Sequence, residues 1–464
     1  MKPLRQGACR LLAAALLALF GTACQEPPDQ SLIILCIDTL RADHVGVYGY
    51  DRDTTPNLDR MSRAGAVFDD VIAQSNWTVP ATASILTSLY PSQHGAGLRG
   101  DVRHLGQERP LPMAGEVQNL GEILSAAGLR TALLSANPYL YGPFKEGFDL
   151  AQVGRTDATS LTDRAIEWLR IAPDKPHFLY LQYIDLHQPL EPPEPYFDYF
   201  EVPYTSVRGD QHVNWGYPRQ EDLDNRAFRS YKAHKIALYD GALRYVDAEI
   251  GRLLAALEEL GLDDSTLVMV TSDHGEEFWD HAEIGRQLGG DPRDIWGIGH
   301  GHSMFRELLQ VPWILTGSGI QEGQRIPCPA RQLDIAPTAL ALLGLEIPTE
   351  MQGVALDPHL RAANPVDCTP LPQIAESPAY GPDSQSVTWK GRKLIRRFDG
   401  VELLYDLRQD AAERSPLTPS QDLPIAGLQA LIDRELAEPT AAPEGEPAAY
   451  DAETEAQLRA LGYL

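Results

Sequence analysis

The chain has 464 residues, of which 65 are acidic and 39 are lysine or arginine, so its formal net charge is −26. This excess of negative charge excludes nucleic acid as a partner, because a phosphate backbone would be repelled. An anionic substrate must be bound by local groups, since the overall field opposes it. The length leaves room for one large domain and a smaller one.

The first 23 residues predict an export signal, with a basic start, an apolar run over residues 11–20 and small residues before a cleavage site. The apolar run is too short to span a bilayer. Cleavage would leave Cys24 at the new N-terminus, as in bacterial lipoproteins, which predicts a lipid anchor in a membrane. Gly21 departs from the bulky residue usual there, so a soluble secreted form is the alternative. We expect a periplasmic or cell-surface location.

Strands and helices alternate over residues 28–350, which predicts a doubly wound α/β domain. The run over residues 32–37 is continuously apolar, as expected for a strand buried on both faces of a parallel sheet. Further strands are predicted from residue 67 and over residues 131–135, 177–184, 266–272 and 311–316. Helices are predicted over residues 56–64, 81–89, 116–127, 160–171 and 237–260.

Polar residues follow three of these strands. Asp38 follows the first strand, Asp185 and His187 follow the strand over 177–184, and Asp273 and His274 follow the strand over 266–272. Carboxylates at such strand ends commonly line ligand sites in open α/β sheets. A carboxylate beside an imidazole is also half of a metal site. Asp38 alone is explained equally well as a helix cap.

The stretch from Asn76 to His94 predicts a short helix at the centre of the site. Pro80 suits the first helical position, and Pro91 stops the helix. Thr78 would then lie just before the helix, near unpaired backbone N–H groups that stabilise an anion. A simple N-cap role for Thr78 is the alternative.

The segment from Pro192 to Tyr231 is long, irregular and rich in aromatic residues. Long loops inside compact domains are usually functional or disordered, and the aromatic content argues against disorder. We expect this segment to border the site and to select the organic half of the substrate, with a packed structural insert as the alternative. Cys328 and Cys368 are candidates for a disulfide after export, and the sequence alone leaves their pairing open. Residues 438–449 read as a surface linker.

Several of these motifs together resemble the sulfatase family of the alkaline phosphatase superfamily. They cover residues 38–43, 48–50, 55–59, 86–95, 271–276, 334–338, 393–395, 404–407 and 457–463. The resemblance implies a large mixed, mostly parallel sheet between helices. It also implies a small C-terminal subdomain over residues 365–464, with an antiparallel sheet and a terminal helix.

The resemblance implies roles for individual residues. Asp38, Asp273 and His274 would ligate one divalent metal ion, which would also hold Thr78. Zinc or manganese is favoured, because the set contains an imidazole and Thr39 replaces a second carboxylate, while calcium or magnesium is possible.

His187 and His300 match positions that contact the anionic group of the substrate, with His302 as a nearby reserve. A second metal site built from Asp185, His187 and one of the other two histidines is the alternative.

The chain departs from the family at three places. Sulfatases carry a Cys or Ser that is converted to formylglycine where Thr78 stands, and an Arg where Thr82 stands. Many sulfatases carry a second aspartate where Thr39 stands. Residues 135–138 replace a lysine and a histidine that hold sulfate.

The threonine changes the expected chemistry. A formylglycine hydrate expels sulfate through its second hydroxyl, which Thr78 lacks, whereas a phosphorylated threonine can be cleaved by activated water. We therefore predict an exported hydrolase with Thr78 as nucleophile. Its substrate would be a sulfate or phosphate ester, with a glycan or a lipid-linked group as candidates for the organic half. The alternatives are a phosphoryl transferase or phosphodiesterase of the same superfamily, and a non-catalytic surface lipoprotein that binds anionic glycans. All three metal-ligand positions are present, which favours an enzyme.

Overall fold

A computed structural model describes residues 28–100, 102–105, 107–200, 223, 226–293, 296–362, 367–417, 425–437 and 450–461. The export signal, Cys24, the linker over 438–449 and most of the segment from Pro192 to Tyr231 lie outside these ranges. Within them, none of the helices combines the length and the apolar character that crossing a bilayer requires.

The described residues form sixteen strands, and eight of them make one large sheet. In chain order the strands are β1 (Ser31–Ile37), β2 (Ala66–Ile72), β3 (Val102–His104), β4 (Arg130–Ser135), β5 (Leu150–Val153), β6 (His177–Tyr183), β7 (Thr266–Thr271), β8 (Glu277–Phe278), β9 (Ile298–Gly299), β10 (Trp313–Thr316), β11 (Gln324–Arg331), β12 (Gln373–Glu376), β13 (Tyr380–Pro382), β14 (Ser384–Trp389), β15 (Arg392–Arg397) and β16 (Glu402–Asp406).

The large sheet has the order β11-β2-β10-β7-β1-β6-β4-β5. β1 pairs in parallel with both β6 and β7, and β4 pairs in parallel with β5 and β6. β10 runs antiparallel to its neighbours β2 and β7. The predicted large mixed, mostly parallel sheet is therefore confirmed, and the central strand β1 is buried along its whole length, as its continuous apolar run indicates.

Helices cover the sheet. In chain order they are α1 (Pro56–Arg63), α2 (Thr78–Thr87), α3 (Pro91–His94), α4 (Leu120–Ala126), α5 (Ala158–Ile171), α6 (Arg226–Leu260), α7 (Ala282–Leu288), α8 (Arg306–Leu309), α9 (Ile335–Leu342), α10 (Asp357–Arg361), α11 (Ile425–Glu435) and α12 (Ala452–Ala460).

Three helices differ from the prediction. α2 begins at Thr78, two residues before Pro80, so Thr78 is its first helical residue and Trp77 is its N-cap. α4 begins only at Leu120, because Asn119 caps it through a capping box with Glu122. α6 begins at Arg226 and therefore takes in the end of the aromatic-rich segment.

The C-terminal subdomain contains the predicted antiparallel sheet, with strand order β12-β14-β15-β16. Its helix partner is α11, because Leu428 and Ile432 join the apolar core of this sheet. The terminal helix α12 packs elsewhere: Leu458 and Leu461 join the core of the large domain. Cys328 and Cys368 form a disulfide, which ties β11 to the segment that enters the subdomain.

Candidate active site

Four adjacent parallel strands, β7, β1, β6 and β4, end at the same edge of the sheet. Asp38 lies directly after β1, and Asp273 and His274 follow the end of β7. Asn137 lies two residues beyond the end of β4. Because the carboxyl ends of these strands meet at this edge, the side chains converge on one buried site.

Asp38, Asp273 and His274 form the predicted ligand cluster. Each offers one ligand atom, and these atoms all lie within 4.8 Å of one another. His274 Nε2 is 3.9 Å from Asp38 Oδ1 and 3.6 Å from Asp273 Oδ2. In the described part of the chain this is the one cluster of three such residues with that spacing.

Hydrogen bonds orient the ligand atoms toward a common point. Asp273 Oδ1 accepts from the backbone N–H groups of Thr39 and His274, at 3.2 and 2.9 Å. His274 Nδ1 donates to Gly275 O at 2.9 Å, which leaves the lone pair on Nε2 facing the two carboxylates. Asp38 Oδ1 is buried and has no hydrogen-bond partner among the described residues. An orphaned carboxylate oxygen beside a second carboxylate and an imidazole nitrogen fits a divalent cation.

The electrostatics of the cluster also favour a cation. Burial, reinforced by the nearby charge of Asp273, raises the pKa of Asp38 to about 8. Burial raises the pKa of Asp273 to about 7, against the backbone N–H groups that lower it. Burial lowers the pKa of His274. Two buried carboxylates without a compensating positive charge are costly, and a bound cation would remove that cost.

Thr78 lies beside this cluster. Its Oγ1 is 3.4 Å from His274 Nε2 and accepts a hydrogen bond from Asn137 Nδ2 at 3.3 Å. The expected N-cap position is wrong, because Thr78 is already helical. As the first residue of α2, it still has a backbone N–H without a partner inside the helix, at the positive end of the helix dipole.

The residues before Thr78 are fixed by distant parts of the chain. Asn76 Nδ2 donates to Ser303 O at 2.6 Å, and Trp77 Nε1 donates to Ser377 O at 2.7 Å. The whole of α2 is buried. These bonds hold the start of α2, and with it the Thr78 hydroxyl, against the ligand cluster.

Thr39 adopts a rare backbone conformation directly after Asp38. Its φ is +61°, in the left-handed region that β-branched residues seldom enter. The Tyr239 hydroxyl of α6 donates to Thr39 O at 2.8 Å, and Leu40 N donates to Ser272 Oγ at 2.9 Å. These bonds maintain a sharp turn that leaves Asp38 facing Asp273.

His187 and His300 also lie at the site. The ring of His300 is 4.4 Å from the ring of His274 and 5.0 Å from the ring of His187. His300 Nδ1 hydrogen bonds Glu276 Oε2 at 3.3 Å, and His187 Nδ1 donates to Gln188 O at 2.6 Å. Burial lowers the pKa of His187 to about 3 and also lowers the pKa of His300.

The residues proposed for a second metal site do not meet. Asp185 Oδ1 accepts from Ala158 N at 3.1 Å and so stabilises the start of α5. His302 Nε2 pairs with Glu277 Oε2 at 2.7 Å. Among the described residues, Asp185, His187 and a further histidine do not form a cluster with the spacing of metal ligands, which speaks against this alternative.

Two residues of the site were absent from the predicted set. Asn137 Nδ2 donates to Asp38 Oδ2 at 2.6 Å. Gln182 Nε2 lies 3.4 Å from Asp38 Oδ2 and 3.3 Å from Asp273 Oδ2, bridging the two carboxylates. A glutamine in the otherwise apolar and aromatic core of β6 was a signal for a role at the site, because buried polar groups need partners.

The described part of the aromatic-rich segment packs against α6. The ring of Tyr196 is 5.4 Å from that of Tyr245, and the Arg244 guanidinium lies over the ring of Tyr199. A side chain at Gly241 would collide with Tyr196 O, so this close approach requires glycine. The role of the segment in substrate selection stays a prediction.

Comparison with known proteins agrees with this geometry. The family described as Sulfatase matches residues 30–345. An arylsulfatase of Clostridium perfringens is 25% identical to the chain, over 84% of this chain and 91% of its own length.

Two solved structures share the fold. One, of a protein in complex with its substrate D-glucosamine-2-N,6-O-disulfate, has a TM-score of 0.70 and 20% identity and covers 90% of this chain and 100% of its own. A phosphonate monoester hydrolase from Silicibacter pomeroyi has a TM-score of 0.66 and 22% identity, with coverage of 88% and 94%. The chain therefore belongs to the sulfatase family, within the alkaline phosphatase superfamily.

Proposed function

We propose that this sulfatase-family hydrolase cleaves sulfate or phosphate esters by transferring the sulfuryl or phosphoryl group first to Thr78 and then to water. The observation that carries the proposal is the position of Thr78. Its hydroxyl lies 3.4 Å from His274 Nε2, at the start of a buried helix and beside two carboxylates. A hydroxyl in this position can be activated by coordination to a metal ion that these three side chains would hold.

Asp38, Asp273 and His274 would hold a divalent metal ion, with zinc or manganese favoured by the mixed oxygen and nitrogen set. Once bound, such an ion lowers the pKa of the Thr78 hydroxyl and offsets negative charge on the ester. The N-terminus of α2 adds a further positive potential at the same point. The Asn137 amide orients the Thr78 oxygen by its 3.3 Å hydrogen bond.

The two steps follow from these positions. In the first, Thr78 Oγ1 bonds to the phosphorus or sulfur atom, the bond to the organic oxygen breaks, and the departing alcohol takes up a proton. In the second, the oxygen of water bonds to the same atom, the bond from that atom to Oγ1 breaks, and Oγ1 takes up the proton that the water loses. The rings of His187 and His300 lie beside His274, and we expect them to hydrogen bond the ester oxygens.

A threonine nucleophile favours phosphate esters over sulfate esters as substrates. Release of a sulfated Thr78 would need slow attack at sulfur, because threonine has no second hydroxyl to expel sulfate from the carbon. A phosphorylated threonine is released by attack at phosphorus. The similarity to a phosphonate monoester hydrolase supports this direction, while the similarity to an arylsulfatase keeps sulfate esters in the proposal.

Export and lipid anchoring at Cys24 are part of the proposal. The disulfide between Cys328 and Cys368 supports export, because disulfides persist in oxidising compartments. A glycan or lipid-linked ester would be the accessible substrate there, and the structure of a relative with a sulfated glucosamine supports a glycan.

A substrate panel tests the function. Purified protein loaded with zinc or manganese is given an aryl sulfate, a phosphate monoester, a phosphate diester and a phosphonate monoester. We expect turnover of at least one phosphorus ester that disappears in Thr78→Ala. Binding of these esters without any turnover would support the alternative of a non-catalytic surface lipoprotein.

A further inference from the structure

Lys235 is a buried lysine that the steps above do not use. It lies on α6, four residues before Tyr239, and therefore on the same face of the helix. The Tyr239 hydroxyl contacts the backbone of Thr39 and Arg41, so this face of α6 lines the turn after Asp38. Lys235 is fully buried, and its ammonium has no hydrogen-bond partner in the described part of the chain.

Glu276 offers a buried acceptor oxygen that matches the buried ammonium of Lys235. Its Oε2 hydrogen bonds His300, but its Oε1 is buried and without a partner among the described residues. Glu276 and Lys235 attract each other electrostatically, and this attraction partly offsets the burial that lowers the pKa of Lys235 to about 8. The Oε2 atom of Glu276 bonds the His300 ring beside the ligand cluster, and Lys235 lies on the face of α6 that lines the turn after Asp38, so both unsatisfied groups lie at the same site.

A buried ammonium and a buried carboxylate oxygen that attract each other but do not bond are costly. Proteins retain such unsatisfied groups mainly where a ligand or an ordered water completes them. A hydroxyl group completes both, because it accepts from the ammonium and donates to the carboxylate. An anionic oxygen completes only the lysine, since Glu276 repels it.

We propose that Lys235 and Glu276 together bind a hydroxyl group of the substrate's organic half. The enzyme would then prefer esters of polyhydroxylated alcohols over esters whose organic half lacks hydroxyl groups. This proposal rests on the proposed function and deepens it, because it assigns two residues to the recognition of the departing alcohol.

The test compares Lys235→Met with the matched variant Lys232→Met, one turn earlier on α6. Lys232 is only partly buried, and the carboxylates that raise its pKa against burial are Asp280 and Glu277, not Glu276. The kcat/KM of each protein is measured for glucose 6-phosphate and for phenyl phosphate. The corresponding sulfate esters, glucose 6-sulfate and phenyl sulfate, form a second pair of substrates. Lys235→Met should lower the kcat/KM for glucose 6-phosphate, relative to that for phenyl phosphate, about tenfold or more, because a charged hydrogen bond to the sugar hydroxyl is lost.

The control should keep the wild-type ratio. An unchanged ratio in Lys235→Met would overturn the proposal. If the ratio stays unchanged because kcat/KM falls equally for both substrates, Lys235 would be assigned to the anionic group instead. If the wild-type protein turned over none of these esters, that result would instead contradict the proposed function.

A binding measurement distinguishes failure of the hydroxyl-binding proposal from failure of the proposed function. Glucose 6-phosphate is titrated into the metal-loaded Thr78→Ala variant and into the metal-loaded double variant Thr78→Ala/Lys235→Met. The double variant should bind it about tenfold more weakly.

Discussion

The side-chain amide of Asn137 donates a 2.6 Å hydrogen bond to Asp38 Oδ2. The same nitrogen is 3.3 Å from Thr78 Oγ1, so one amide connects a ligand carboxylate with the nucleophile. Asp38 Oδ2 is thereby occupied, and Oδ1 is left to face His274. Residues that orient metal ligands in this way contribute to metal affinity almost as the ligands do.

Asn137→Ala should therefore weaken metal binding by about 10- to 100-fold. Competition with a coloured zinc chelator measures this affinity. Asn119→Ala is the matched control, because Asn119 caps α4 away from the site. The control should lose about 1 kcal/mol of stability while its metal affinity stays that of the wild type. Equal metal affinity in Asn137→Ala and wild type would contradict the assigned role.

Removal of the metal should abolish turnover and destabilise the fold. Asp38 and Asp273 are buried side by side, so a cation that binds only the folded state stabilises it by mass action. We expect a lower unfolding temperature after dialysis against a chelator, and recovery on addition of zinc or manganese. Asp273→Asn should not recover. Full activity of protein that elemental analysis shows to be metal-free would refute metal dependence.

Stability should depend on the charge of His281, which joins the two domains. Its Nδ1 donates to Glu307 Oε1 at 2.7 Å, and its Nε2 donates to the carbonyls of Ala412 and Glu413, both at 3.0 Å. All partners are acceptors, so both ring nitrogens carry hydrogen and the ring is charged. The Glu307 carboxylate raises the pKa of His281 against the effect of burial.

The pKa of His281 is higher in the folded protein than in the unfolded chain. The charged ring therefore makes its full contribution to the free energy of unfolding below the pKa of an unfolded histidine, about 6.5. It is lost as the pH rises through the folded pKa. His281→Gln keeps hydrogen-bonding groups but not the charge, so the stability difference between wild type and variant should shrink as the pH rises above about 6.5. A difference that is constant from acid to alkaline pH would contradict this linkage.

Reduction of the disulfide should destabilise the protein. Cys328 and Cys368 are 40 residues apart, and closing a loop of this length contributes up to about 4 kcal/mol in the chain-entropy account. Dithiothreitol should lower the unfolding temperature of the wild type but not that of the Cys328→Ser/Cys368→Ser variant. Equal effects on both proteins would show that the bond contributes little.

The strands were predictable from the sequence because β1, β6 and β7 are apolar runs buried on both faces. The ligands Asp38, Asp273 and His274 were predictable because each follows such a strand. The start of α2 was not, because Pro80 fits a first helical position and the true start depends on long-range bonds. Asn76 and Trp77 bond carbonyls 227 and 300 residues away.

Lys235 was not predictable as a site residue, because a lysine on a long amphipathic helix usually faces solvent. Only the packing of α6 against the turn after Asp38 buries it. In the same way, the hydrogen bond from the Ala158 N–H at the start of α5 to Asp185 depends on a contact between two elements that are separated in the sequence. Residues at strand ends are thus assigned to the site by pattern alone, but their partners are set by packing.

The most direct test of the central claim is a search for a covalent adduct on Thr78. Metal-loaded protein is mixed with a phosphate monoester and, separately, with an aryl sulfate, then quenched in acid, digested and analysed by mass spectrometry. We predict a phosphoryl group on the peptide at Thr78 in the wild type and in Thr78→Ser, and none in Thr78→Ala, which should also be inactive. An adduct at another residue, or undiminished turnover by Thr78→Ala, would contradict the account.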